Sequence, residues 1–170
     1  MQDTSHAQTM ATSGELAARG SDAIEILLND HQVIKGLLTQ LTSGAIETRK
    51  DTLDQLKGVL TIHNATEENL VYPALAVVGG NKSDSEQLFH ETAEADTAVF
   101  ELDMVLKQAD DAAFSAKAKN LQAAILEHIQ NEEDKAFPHL QKHADAAQTQ
   151  QLTQDVREYR NAIRFVKATG

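Results

Sequence analysis

Two stretches of this chain, HNATEENLVYPAL from His63 and HIQNEEDKAFPHL from His128, share the frame His-x3-Glu-Glu-x3-aromatic-Pro-x-Leu. A histidine and a glutamate four residues apart lie on one face of a helix, about one 5.4 Å turn from each other, so both side chains can reach one point. A fold containing this repeat has two like-built helices, each offering one nitrogen and one carboxylate on the same face. Whether those faces point inward is decided by the apolar residues around them.

The apolar pattern is helical throughout the body of the chain. Leu27, His31, Ile34, Leu38 and Leu41 recur at steps of four and three, and so do Leu53, Leu56, Leu60, His63, Glu67 and Leu70. Leu121, Ile125, His128 and Glu132 repeat the spacing. Between them a segment opens on a capping-box signal, Ser83 to Glu86, and runs His90, Ala93, Thr97, Phe100 and Met104 along one stripe. Turn residues interrupt at Thr42-Ser43-Gly44, Gly79-Gly80-Asn81, Asp110-Asp111 and from Ala144 to Thr149. The prediction is an all-α, up-down antiparallel four-helix bundle over residues 22–145, with both repeats facing the seam.

Residues 146–170 add a C-terminal amphipathic helix with Leu152, Val156, Tyr159, Ile163 and Val166 on its apolar stripe. It is expected to dock on the bundle, on a protein partner or on a second copy. The adjacent Arg157, Arg160, Arg164 and Lys167 read as a solvated stripe, since Asp155 and Glu158 interrupt it. Residues 1–21, rich in Ser, Thr, Gln, Ala and Gly and including His6, read as a mobile leader.

Composition narrows the function classes. The chain has 170 residues, 41% of them apolar, enough for one domain with a core. A net charge of −11 gives no electrostatic footprint for nucleic acid and is repelled by anionic membrane surfaces. No apolar run has the length of a membrane span, and the N-terminus has no secretion-signal pattern, so a cytoplasmic location is expected. With no cysteine, disulfides, thiolate metal sites and cysteine nucleophiles are all excluded. Any metal must sit on nitrogen and oxygen.

A metal is what the seam pattern calls for. Unpaired buried carboxylates cost several kcal/mol, and no Lys or Arg accompanies Glu67 or Glu132 in the seam. Four histidines (His31, His63, His90 and His128) with Glu67 and Glu132 exceed the needs of one tetrahedral ion. They suit two ions that share carboxylates roughly 3.5–4 Å apart. Imidazole and carboxylate accommodate iron, zinc, copper, nickel or manganese, so the donors alone leave the metal open. A bundle without metal, its polar residues forming a register-setting network, is the competing reading.

Several other polar residues have two readings. Glu94, four residues after His90, fits a further ligand or a solvated acidic face. Glu68 and Glu133 lie one residue off the seam, as supporting groups behind the ligands or as surface charges. Tyr72 and Phe137, matched in the repeat, read as core packing rather than redox groups. His139 and His143 complement a helix C-terminus.

The order His31, HNATE, His90, HIQNE resembles the hemerythrin-like HHE cation-binding family over about residues 22–145. The resemblance implies a non-haem di-iron centre, oxo- or hydroxo-bridged, with His31, His63, Glu67, His90, His128 and Glu132 as ligands. It implies binding or reaction with dioxygen, peroxide or nitric oxide, in oxidative or nitrosative stress protection, and leaves open whether the protein is an enzyme. The invertebrate oxygen carriers of the family have His-x3-His on the third helix and His-x4-Asp on the fourth. Here His90 stands with Glu94 and His128 with Glu132, so reaction is favoured over reversible carriage. A metal-dependent sensor acting through the C-terminal helix is the alternative function. Iron storage and iron-cluster repair fit less well: one dinuclear site holds little metal, and the repair proteins carry cysteines.

Overall fold

Three helix starts are set by short polar side chains that satisfy otherwise orphaned backbone donors. Asp22 accepts from the Glu25 N–H at 2.9 Å and opens α1, Ala23–Ser43. Asn81 accepts from the Asp84 N–H and opens α4, Lys82–Lys107. Asp110 accepts from the Ala113 N–H and opens α5, Asp111–Asn131. The cap of α4 is therefore Asn81, not the Ser83 of the predicted capping box. In this computed structural model, residues 22–169 are described, with side chains to residue 163. The predicted leader lies outside the described residues.

The second rod begins with a 3-10 turn, Ile46–Thr48, and continues through α2, Arg49–Thr66, a π turn, Glu67–Val71, and α3, Tyr72–Val77. The fourth repeats this plan: α5, a π turn at Glu132–Ala136, then α6, Phe137–His143. Both π turns come just before a proline. Pro73 and Pro138 have no N–H, and their rings would strike the carbonyl four residues back, so the helix widens to admit one extra residue. The N–H groups of Tyr72 and Phe137 accordingly bond to the carbonyls of Glu67 and Glu132. Each aromatic thereby comes onto the face of its own glutamate.

The rods pack in a ring in which α1 touches α2 and α5, and α4 touches α5 and α3. Among the described residues no strand occurs, and no helix is long and apolar enough to cross a membrane. Two apolar clusters fill the bundle interior, and a third, of Ala23, Ile26 and Val156, joins α1 to the last helix. Of the two interior clusters, one contains Ile34, Leu38, Leu53, Leu56, Leu102, Phe114 and Leu121; the other contains Leu27, Tyr72, Leu75, Leu88, Phe137 and Leu140. Between these two lies a polar layer of His31, His63, Glu67, Thr92, His128 and Glu132, all buried. The helix after the bundle, α7, spans Ala146–Thr169 and packs on α1 and α2.

Two sequence expectations are corrected here. The inward face of α4 is Leu88, Thr92, Ala95, Val99, Leu102 and Val105, whereas the predicted stripe from His90 to Met104 faces solvent. Both stripes have helical spacing, but the buried one carries more aliphatic surface, and its burial sets the rotation of the helix. On α7, Thr153, Val156 and Arg160 are buried, so Arg160 does not belong to a solvated basic stripe.

Candidate metal centre

The two repeats and α1 bring four donor side chains to one place. His31 Nε2 stands 3.2 Å from Glu132 Oε2 and 3.9 Å from Glu67 Oε1, and His63 Nε2 stands 3.2 Å from the same Glu67 oxygen. One donor atom from each of His31, His63, Glu67 and Glu132 lies within 4.8 Å of the others. His31 Nε2, Glu67 Oε1 and Glu132 Oε2 are buried with no hydrogen-bond partner. Unpaired atoms of this kind are costly in an apolar interior, and a cation would satisfy all of them together. The donor set fits a metal ion.

Each imidazole is oriented from behind by a carboxylate. The Nδ1–H of His31 donates to Glu133 Oε1 at 2.9 Å, and Lys35 Nζ donates to both oxygens of Glu133. His63 Nδ1 faces Asp30 Oδ2 at 3.3 Å, and the Arg160 guanidinium grips both oxygens of Asp30 at 2.6 and 3.0 Å. His128 Nδ1 donates to Glu91 Oε2 at 2.9 Å, while Asn131 and Gln87 donate to the other oxygen of Glu91. With the proton on Nδ1, each Nε2 lone pair is directed into the polar layer, the tautomer a metal ligand requires.

The far side of the carboxylate pair is organised by Tyr72. Its hydroxyl lies 3.1 Å from Glu67 Oε2, 2.9 Å from Glu132 Oε1, 3.2 Å from His128 Nε2 and 3.2 Å from Thr92 Oγ1. The two glutamates thus have one pair of oxygens toward His31 and His63 and the other toward His128 and Tyr72. Phe137, at the equivalent repeat position, stacks on the His31 ring at a centroid distance of 5.7 Å. The repeat is alike in backbone and unlike in chemistry.

Electrostatics bear the mark of crowded anions. Burial, reinforced by the Glu132 carboxylate, drives the Glu67 carboxyl well above its usual value. Burial also pushes Glu132 upward, but His31, His128 and His63 more than offset it, and the result lies below the usual value. The opposite directions of the two glutamates follow from their mutual repulsion and from the imidazoles nearer Glu132. Burial, then the two glutamates, raise the Tyr72 phenol well above its ordinary range. Burial lowers His63, which keeps the ring neutral.

The hemerythrin HHE cation-binding domain model matches residues 22–140. The chain belongs to that family. A DNA nickase of Nostoc sp. (strain PCC 7120 / SAG 25.82 / UTEX 2576) is 22% identical over 156 residues, which is 88% of this chain. The chain spans 44% of the length of that relative. No solved structure matches it.

Within this HHE domain, the sequence-derived set is only partly gathered. His31, His63, Glu67 and Glu132 form the cluster, and His128 adjoins it through Glu132 Oε1 at 3.5 Å. His90 does not reach it: its side chain is 74% exposed and pairs with Glu94 at 3.1 Å. The α4 residue in the polar layer is Thr92, and His90, two positions earlier, is rotated by about 200° to the opposite face. Asp30, Glu91, Tyr72 and Arg160 were not recognisable from apolar periodicity. Glu133 stands behind His31 as one of its two readings anticipated. His139 donates through Nε2 to the Gly79 carbonyl at 2.8 Å, tying α6 to the turn after α3.

Proposed function

We propose that this HHE domain holds two metal ions, iron being the metal its family resemblance implies, and uses them to bind or react with small oxidants such as dioxygen, peroxide or nitric oxide. The observation that carries this reading is the convergence of unpartnered, buried His31 Nε2, Glu67 Oε1 and Glu132 Oε2 beside His63. These residues would hold the first ion. Glu67 Oε2, Glu132 Oε1 and His128 would hold the second, with the Tyr72 hydroxyl in the role expected of His90. Bound there, the ions would supply Lewis acidity and electron storage.

The chain's own residues define what can reach that place. A cavity of about 10 Å³ adjoins the polar layer, lined by Ile34, Leu60, His63, Thr92, Ile125 and His128 among others. That is space for about one water-sized molecule and far too little for an organic substrate. The flanking apolar clusters exclude bulk water. Three imidazoles, two carboxylates and a phenol form an oxygen-rich set, which favours the more highly charged ion and hence reaction over reversible carriage. The DNA activity in the name of the Nostoc protein finds no support in a charge of −11.

The test is consumption of hydrogen peroxide and of nitric oxide by iron-loaded protein, against the same concentration of free iron. Consumption above free iron that is lost in His63→Ala supports the reading. Neither consumption nor a spectral response to any of the three oxidants overturns it.

A further inference from the structure

We propose that Arg160, on α7 beyond the segment that matches the family, is a positioning residue for the metal centre, so that docking of α7 and metal affinity at His63 are coupled. The proposal rests on the metal-binding reading above.

The geometry is a continuous chain of buried polar contacts. Arg160 is 2% exposed, Asp30 1% and His63 2%. Arg160 Nη1 and Nη2 bind Asp30 Oδ2 and Oδ1, and the same Oδ2 accepts from His63 Nδ1. The Asp30 carboxylate, held at both oxygens by Arg160, fixes the His63 Nδ1–H and aims Nε2 at Glu67. The cation that sustains this arrangement is supplied by a different helix from those that carry the ligands.

Nor is the contact isolated. The Ala23 N–H donates to Thr153 Oγ1, Ile26 and Val156 share an apolar cluster, and Asp30 pairs with Arg160. Thr153 and Arg160 each meet an α1 residue 130 positions earlier, so α7 runs parallel to α1 in a fixed register. Sliding α7 by one turn would break the polar contacts at both ends together. Because docked α7 and His63 share the Asp30 contact, any energy by which docked α7 favours the ligand geometry must appear equally as stabilisation of α7 by bound metal.

The experiment uses the full chain with Co(II) as the probe, comparing wild type, Arg160→Met, Arg160→Lys and Leu152→Ala. Leu152 lies on α7 and packs on the apolar clusters, so its truncation weakens docking without touching Asp30. Expected are a loss of Co(II) affinity of about 10–100-fold in Arg160→Met, partial rescue in Arg160→Lys and no comparable loss in folded Leu152→Ala. Co(II) should also slow amide hydrogen exchange across α7 in wild type and not in Arg160→Met. Unchanged affinity in Arg160→Met overturns the coupling, and an equal loss in Leu152→Ala overturns Arg160 as its carrier; both outcomes leave the metal reading intact. A wild type that binds no Co(II) overturns both.

Discussion

The Tyr72 hydroxyl stands 2.9 Å from Glu132 Oε1 and 3.1 Å from Glu67 Oε2, five residues after Glu67 on the same rod. Five residues of ordinary helix would turn Tyr72 well away from Glu67; the π turn before Pro73 brings it back. If the phenol serves the second ion, Tyr72→Phe should reduce metal content from about two ions to about one per chain. Elemental analysis of folded variant and wild type checks this, and an unchanged content would confine Tyr72 to hydrogen bonding.

Acidity should oppose loading. Glu67 has a folded-state pKa raised above its ordinary 4.5, so its proton stabilises the metal-free fold below about pH 4.5, and this contribution is lost as pH rises through the folded value. A cation replaces that proton, so affinity should rise by up to about tenfold per pH unit until Glu67 is deprotonated in the metal-free protein. Competition titrations between pH 5 and 8 report the slope. Affinity independent of pH would mean that Glu67 is not a ligand.

His90→Ala should change neither metal content nor stability by more than about 0.5 kcal/mol, because an exposed pair such as His90 with Glu94 contributes little. Loss of one ion in this variant would show that α4 rotates when the site is loaded.

That contrast marks what the sequence could and could not disclose. The repeat, its seam placement on α2 and α5, and His31 on α1 were legible because in those helices polar and apolar residues share a single stripe. On α4 two stripes compete, and the histidine drew the reading toward the wrong one. Tyr72 is core packing as its repeat position implies, but the reach of its hydroxyl to Glu67 and Glu132 follows only once Pro73 has forced a wide turn. Asp30 and Glu91 sit next to buried positions and acquire their roles only from the rings they meet across the bundle. Arg160 resembles its solvated neighbours until α7 is docked.

The turn between α4 and α5 carries a removable strain. Ala109 has φ of 56°, a left-handed conformation that costs an L side chain about 1 kcal/mol and glycine almost nothing. Ala109→Gly should therefore stabilise the fold by up to about 1 kcal/mol, the gain reduced by the added freedom of the unfolded chain. Chemical denaturation with an unchanged m-value checks it, and a loss of stability would contradict the account of this turn.

The polar layer exists, on this reading, to hold metal. The direct measurement is metal content by elemental analysis, with an ultraviolet-visible spectrum, of protein purified from its native host beside a His63→Ala, His128→Ala double variant. Expected are about two ions per chain in the wild type, iron with oxo-bridge charge-transfer absorption, and loss of both signals in a variant that remains helical. A folded wild type with no stoichiometric metal, even after loading with ferrous iron, would contradict it and leave the His and Glu residues as a structural network.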